Sequence, residues 1–382
     1  MTEPASPGVD TEEQAALRQS VAALLDKRSD PAAVRAAIAS EHGHDPALWS
    51  MLVEQIGAAA LSIPERYDGA GATWVETHLV CEELGRRLTP SPLLGSAVLA
   101  AQAVLASGDE AACARILPGI AAGDQVALCW ASQDGWASPG VGASGGDGDH
   151  PSLSGTAHHV LGADTASTLL VVAITGGQVG LFEVPSGAAG LTVTRVPVMD
   201  PTRTMARVDF ESVSATPIRT RPSFLARLRA AGWAAISAEQ VGAARAALDA
   251  TVRYTKERTQ FGRAIGSFQA LKHRMADMYV RAETAASLSY SAAARVAQAQ
   301  ALGEGPEADE AAYAAEIEAA AAKVYCSEAV QWITGEAIQL HGGVGITWEY
   351  DVQLYFKRAH GTAQLLGQPH EILAALEVAA GL

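Results

Sequence analysis

Residues 254–278 read YTKERTQFGRAIGSFQALKHRMADM, and this stretch decides how the last part of the chain is organised. Phe268, Leu271, Met275 and Met278 recur at three- and four-residue steps, which sets them along one side of a helix. The segment from 259 to 266 before them reads as a break between two helices. Packing of a helix hairpin accounts for the periodic apolar residues. It leaves Arg258, Gln260, Gln269 and His273 as an unusual concentration of polar groups around one break. Arg258 offers a fork of donors suited to a diphosphate, and the free N–H groups of the next helix start add to the attraction for an anion.

Working outward, alanine-rich runs at 223–258, 267–301 and 308–337 predict long helices in close contact. Alanine costs little side-chain entropy and lets backbones approach. GEGPEAD, 303–309, supplies one turn between them, and HGGVG, 341–345, punctuates the next connection. Within QLHGGVGITWEY, 339–350, glycines at 342, 343 and 345 have no Cβ to exclude a phosphate or an adenosine. A plain turn explains the same string, and neither P-loop lysine spacing nor a strand-first GxGxxG is present.

Towards the N-terminus, from about 11 to 115, EEQAALRQSVAALLDKR, ALWSMLVEQIGAAAL, WVETHLVCEELGRRL and SAVLAAQAVLASG carry helical periodicity, and PERYDGAGAT, 64–73, is a turn-rich loop. From about 124 the texture changes to short β-prone runs such as VALCWAS, LLVVAI, VGLFEV and LTVTRVPV. MARVDFESV, 205–213, alternates as a half-buried antiparallel strand does. GASGGDGDHPSLSG, 142–155, predicts a surface loop, neither helix nor central strand. The domains implied are 1–122 helical, 123–218 β and 219–382 helical.

The 382 residues exceed what one hydrophobic core supports. Their 42 acidic against 27 basic residues give a net charge of −15, which repels a phosphate backbone and excludes nucleic acid as a partner. Cys81, Cys113, Cys129 and Cys326 stand far apart, with no metal spacing, and predict buried thiols in a reducing compartment. The acidic start MTEPASPGVDTEEQ lacks an export signal, and TLLVVAI, 168–174, is far below the roughly 20 apolar residues of a membrane span. A cytoplasmic location without a membrane span is expected.

Arg258-x-Gln260-Phe261-Gly262, then Ile265-Gly266-x-Phe268-Gln269-x-x-Lys272-His273-x-x-Ala276-Asp277-Met278, and then Gln339-x-x-Gly342-Gly343-x-Gly345 together resemble the signature blocks of the acyl-CoA dehydrogenase family. IPERYDGAGATWVETHLVCEELGR, 63–86, and MDPTRTMARVDFESV, 199–213, extend the likeness over nearly the whole chain. It implies an N-terminal helical domain, a middle β-barrel-like domain and a C-terminal four-helix bundle, with FAD held between subunits. By the family pattern Arg258, Gln260, Phe261 and Gln269 would touch the diphosphate and adenosine side, while Gln339, Gly342 and Gly343 would come from the adjacent subunit. An acyl-CoA substrate and an acceptor like electron-transfer flavoprotein are implied as well.

Desaturation beside a thioester needs a base for the α proton, a flavin to accept hydride from the β carbon, and hydrogen bonds to the developing enolate. The family's usual glutamate position falls on Gly367, with Pro369 where a threonine is common. Its alternative position, early in the C-terminal domain, falls on Gly232. No catalytic residue is therefore assigned. Glu371 and Glu239 are the nearest acids, displaced by about one and about two helical turns. The flavin-ring segments also depart from the pattern, at Cys129–Asp134 and Val160–Gly162.

This asymmetry resembles the base-lacking subunit of actinobacterial α2β2 acyl-CoA dehydrogenases, in which a homologous subunit supplies the carboxylate. Two alternatives are a self-associating, self-sufficient dehydrogenase with Glu239, Glu371 or another base, and a flavin-binding or structural relative without turnover. His158, His159 and His360 read as surface or structural residues. Lys357 and Arg358 either cap a helix or reach an acyl-CoA phosphate.

Overall fold

A computed structural model describes residues 10–145 and 150–380. The N-terminal region holds α1 (Glu12–Arg28), α2 (Pro31–Ala39), α3 (Pro46–Glu54), α4 (Trp74–Arg87), a wide π-type coil at Leu94–Ala100 running into α5 (Ala101–Ser107), and α6 (Glu110–Ala121). Local chemistry starts these helices. Thr11 and Gln14 form a capping box on α1, and Asp30 and Asp45 cap α2 and α3 just ahead of a proline in the first turn. The apolar run 47–61 predicted a longer third helix, but α3 stops at Glu54, and Gly57 then turns through a left-handed φ of 71°.

The middle region holds β1 (Val126–Cys129), β2 (Ala131–Ser132), β3 (Gly135–Pro139), β4 (Val141–Ser144), β5 (Ser152–Leu161), β6 (Thr168–Thr175), β7 (Gln178–Pro185), β8 (Leu191–Val196), β9 (Met205–Ser214) and β10 (Thr216–Ile218). The main sheet runs β10-β7-β6-β4-β5-β9-β8, with β1 also on β6. It is sheet-rich as expected but does not close into a barrel, because β8 and β10 end the order unpaired with each other. In β9 the predicted alternation holds through Ala206, Val208 and Phe210, all buried. It then shifts to Val213 across a bulge in the pairing with β5, where Ser212 takes a φ of 55°.

The expectation of a loop over 142–155 is corrected at both ends: β4 and β5 enter it and pair in the middle of the sheet, Gly142 opposite Ser154. Glycine here serves strand approach rather than a turn. A Cβ on Gly155 would lie 2.4 Å from the Gly140 carbonyl oxygen, and φ at Gly155 is 127°. Residues 146–149 of the predicted loop lie outside the described residues.

The C-terminal region holds α7 (Phe224–Glu257), a small hairpin of β11 (Thr259–Gln260) and β12 (Arg263–Ala264), α8 (Gln269–Ala301), α9 (Pro306–His341), α10 (Val352–Gln364) and α11 (Pro369–Ala380). Helices α7 to α10 form the bundle, with buried alanines such as Ala234, Ala285, Ala292 and Ala319 along its interior. The four cysteines are free and buried. Among the described residues no helix is long and apolar enough to cross a membrane.

The N-terminal region is seated on the bundle by a reciprocal glycine crossing of α4 and α7. A Cβ on Gly85 would meet the Glu239 carbonyl oxygen at 2.2 Å, and one on Gly242 would meet that of Glu82 at 2.0 Å. Backbone cannot yield as a side chain can. Gly242→Val is therefore expected to cost at least the ~1–3 kcal/mol of an overpacked core, read as a lower urea midpoint. A midpoint equal to that of the parent would show that the helices slide apart freely.

Candidate active site and cofactor surface

At the end of α7 the chain leaves the helix at Arg258, whose N–H still reaches the Tyr254 carbonyl at 2.8 Å. Thr259 and Gln260 then pair with Ala264 and Arg263. The two residues between the strands, Phe261 and Gly262, have φ of 53° and 73°, the left-handed pair that a tight two-residue hairpin requires. Glycine suits that place and phenylalanine does not. Phe261 is nonetheless 90% exposed, touching Phe268 edge-on at 6.1 Å, so its ring is displayed outward rather than packed.

The Ile265 N–H returns to the Arg258 carbonyl at 2.8 Å and closes the excursion, while the Arg263 guanidinium lies 3.8 Å from the Phe268 ring centre. Gln269 opens α8 with its amide 3.0 Å from the His273 ring nitrogen. Arg258, Gln260, Phe261 and Gln269 are all exposed, and the Arg258 guanidinium has no hydrogen-bond or ion-pair partner among the described residues.

Gln339 lies on the last turn of α9, and Gly342 ends that helix with φ 65° and ψ −148°, a conformation that favours glycine. Nothing lies within 4 Å of a Cβ built on Gly342 or Gly343, so both open onto free space. The two sequence blocks share one end of the bundle. Tyr254, one turn before Arg258, stacks on His341 at 4.3 Å and donates to its carbonyl at 3.2 Å, and Tyr350 closes edge-on against both rings. Within one chain the blocks are neighbours that both face outward.

A separate cavity of about 620 Å³ opens between the middle sheet and the bundle. Gln133 to Trp136 and His159 line it from the sheet side, and Phe356, His360, Leu365, Gln368 and Glu371 from the bundle side. Burial lowers the pKa of both imidazoles, which favours their neutral forms. His159 holds a φ of 55°, and His360 is fixed by Gln331 at 3.2 Å and by the Phe356 ring at 4.3 Å. His159 is exposed and His360 is half-buried, in keeping with a surface or structural place, and both border the cavity. A bulge in the β5–β9 pairing between Ala157 and Val160 turns the strand there, which period-2 reading does not anticipate.

Residues 11–124 match the family model described as acyl-CoA dehydrogenase, N-terminal domain, and residues 230–376 match that described as acyl-CoA dehydrogenase, C-terminal domain. The chain belongs to the acyl-CoA dehydrogenase family. It is 43% identical over 368 residues to acyl-CoA dehydrogenase IpdE2 of Mycobacterium tuberculosis, covering 96% of each chain. Two solved structures share its fold, each with a TM-score of 0.86 over 97% of this chain and 98% of the other: the Tcur3481-Tcur3483 steroid ACAD G363A variant, at 28% identity, and the ChsE4-ChsE5 complex from Mycobacterium tuberculosis, at 26%.

In this acyl-CoA dehydrogenase family member Gly232, one of the two glycines where the resemblance would put a base, packs on Leu366, the neighbour of the other, Gly367. A Cβ on Gly232 would lie 2.3 Å from Leu366 Cδ1 and 3.0 Å from Leu99 Cδ2, so leucine side chains occupy the room a carboxylate would need. Leu366 and Gly367 form a left-handed turn with φ of 56° and 107°. Trp233 Nε1 anchors it by donating to the Leu366 carbonyl at 2.9 Å.

The two nearest acids are engaged elsewhere. Glu371 accepts from the Gln368 N–H at 2.8 Å as a cap on α11, although it borders the cavity. Glu239 is paired with Arg203 in a buried knot that also holds Asp200, Thr202 and Arg358. Arg358 Nε lies 2.8 Å from Asp200 and 2.9 Å from Thr202 Oγ1. Neither sequence-based reading of Arg358 holds: it neither caps a helix nor faces outward to a phosphate, but ties the β8–β9 connection to the bundle. Lys357 instead sits 4.4 Å from the Trp348 ring.

Proposed function

We propose that this chain is the base-lacking subunit of a heteromeric acyl-CoA dehydrogenase, supporting FAD-dependent α,β-desaturation of an acyl-CoA thioester for which a homologous partner supplies the carboxylate. The observation that carries the reading is the contrast within the site. Gly232 and Gly367 leave no base and Leu366 fills the space, whereas the cofactor-facing Arg258 is exposed and its guanidinium has no partner among the described residues. The likeness to chains of two named two-protein assemblies supports the heteromer.

The residues present fit FAD at the bundle end. Arg258, left without a partner, suits a diphosphate by its fork of donors, and the displayed Phe261 ring offers an apolar face to a flat heterocycle. Gln260 and Gln269 supply amides on the same chain. Gln339, Gly342 and Gly343 approach from the adjacent subunit, and the two glycines, lacking a Cβ, admit close contact. FAD held there would supply the acceptor for the hydride of the β carbon. An acceptor like electron-transfer flavoprotein would serve as the partner for electrons, and the complex works in the cytoplasm.

The test is to purify the chain alone and co-expressed with a family member that carries the glutamate, and to assay both against a panel of acyl-CoA thioesters with an artificial electron acceptor. The pair is expected to desaturate and the single chain to remain at background. Arg258→Ala in the pair is expected to lower retained flavin absorbance with little change in the melting temperature. Turnover by the homogeneous chain would sink the reading.

A further inference from the structure

Lys323 lies in the alanine-rich interior stretch of α9 with none of its surface exposed and no ion pair among the described residues. Its amino group donates to Ser327 Oγ at 3.0 Å on its own helix and to the Ala363 carbonyl at 3.1 Å. Ala363 belongs to the last turn of α10, where carbonyls have no intrahelical donor and the helix dipole presents its negative end. Gln240 of α7 joins the same centre, donating to Ser327 Oγ at 3.0 Å and to Thr362 Oγ1 at 3.3 Å. All three partners, Gln240, Ser327 and Thr362, are buried.

Two residues beyond Ala363 the chain enters the left-handed turn whose Leu366 fills the place of the carboxylate and whose Leu365 and Gln368 line the cavity. That turn is held by Trp233 at Leu366 and by Glu371 at Gln368. Its helix end is held from within the bundle by Lys323 at the Ala363 carbonyl and by Gln240 at the Thr362 hydroxyl. A methionine would fill a similar volume there without the cost of desolvating an amine, so the amine must return something in position.

We propose that Lys323 is a positioning residue that anchors the end of α10, and that opening of the Leu365–Gln368 turn is coupled to hydration of its amino group. The coupling is a property of the turn itself and stands whether or not a partner supplies the base.

The groups facing the amine are the Cys326 thiol on α9, the Gln240 amide on α7, and the Thr362 hydroxyl and Ala363 carbonyl on α10. The Ala285 carbonyl of α8 takes up Cys326 Sγ at 3.4 Å. Only Cys326 titrates among them, and burial pushes its thiol up to about 12. Burial lowers the Lys323 amine from its ordinary 10.5 to about 7. The closed state therefore favours the neutral amine, and an opening that returns it to water takes up a proton between those two values. The turn is then held most tightly near the top of that window, loosens as pH falls towards 7, and shows no further dependence below it.

Amide hydrogen exchange of the full chain, corrected for the intrinsic pH dependence, reads this directly in peptides covering 363–372. In the parent, protection of these amides should fall by up to about tenfold per pH unit on going from pH 10 to pH 7, the slope of one proton taken up. In Lys323→Met the slope should vanish, and near pH 10 the turn should exchange about tenfold faster than in the parent for want of one buried hydrogen bond. A parent profile that is flat in the turn, or one in which only the slowest core amides carry the slope, would overturn the coupling. The parent series decides the matter even if Lys323→Met fails to fold.

Discussion

Arg203→Met is expected to remove about 3–5 kcal/mol of stability, an effect beyond the reach of any surface pair in the chain. Arg203, Glu239, Asp200 and Arg358 are all nearly inaccessible, and their two positive and two negative charges balance without solvent. Losing one guanidinium strands Glu239 as an uncompensated buried carboxylate. Adding Glu239→Gln should recover a large part of the loss, because the stranded charge and not the missing contact dominates the cost. By contrast Arg295→Ala, which breaks an exposed pair with Glu318, should cost no more than about 1 kcal/mol. Denaturant midpoints of the three variants against the parent would settle the point, and equal losses at the two arginines would refute it.

Installing a base is expected to fail at both family positions. In Gly232→Glu the new Cβ meets Leu366 at 2.3 Å, and the carboxylate behind it has only buried leucine to displace. In Gly367→Glu the backbone φ of 107° lies in a region that side chains with a Cβ avoid, at a cost of about 1–3 kcal/mol before any contact is counted. Neither homogeneous variant should desaturate an acyl-CoA above the background of the parent, and both should lose several degrees of melting temperature. Pairing Gly232→Glu with Leu366→Ala relieves the clash and should restore stability relative to Gly232→Glu alone. Turnover by Gly367→Glu without a partner would show that the turn adapts and that the absent carboxylate is the chain's only deficit.

These expectations separate what was legible in the sequence from what was not. The long helices were legible to within a few residues because helical periodicity, alanine content and glycine or proline punctuation act over one or two turns. The break after Arg258 was equally local, and so was the glycine at each base position. The β4 and β5 strands were misread because Gly142 and Gly155 signal a turn by composition, while in the sheet both sit in paired strands and Gly155 lets the backbone close on Gly140. His159 and His360 could not be assigned to one cavity, since a bulge on one domain and a helix face on another bring them there from 201 positions apart in the chain.

The sequence by itself determined the family, the three-part order of helix, sheet and helix, and the glycines where the family resemblance would put a base, because each is carried by short-range pattern or by residue identity. Only the tertiary structure decided what engages the nearby acids and the space beside Gly232. Glu239 is spent on Arg203, Glu371 on the start of α11, and the vacant room on Leu366. Such assignments depend on which side chains share a low-dielectric interior, and neighbours in that interior come from distant parts of the chain.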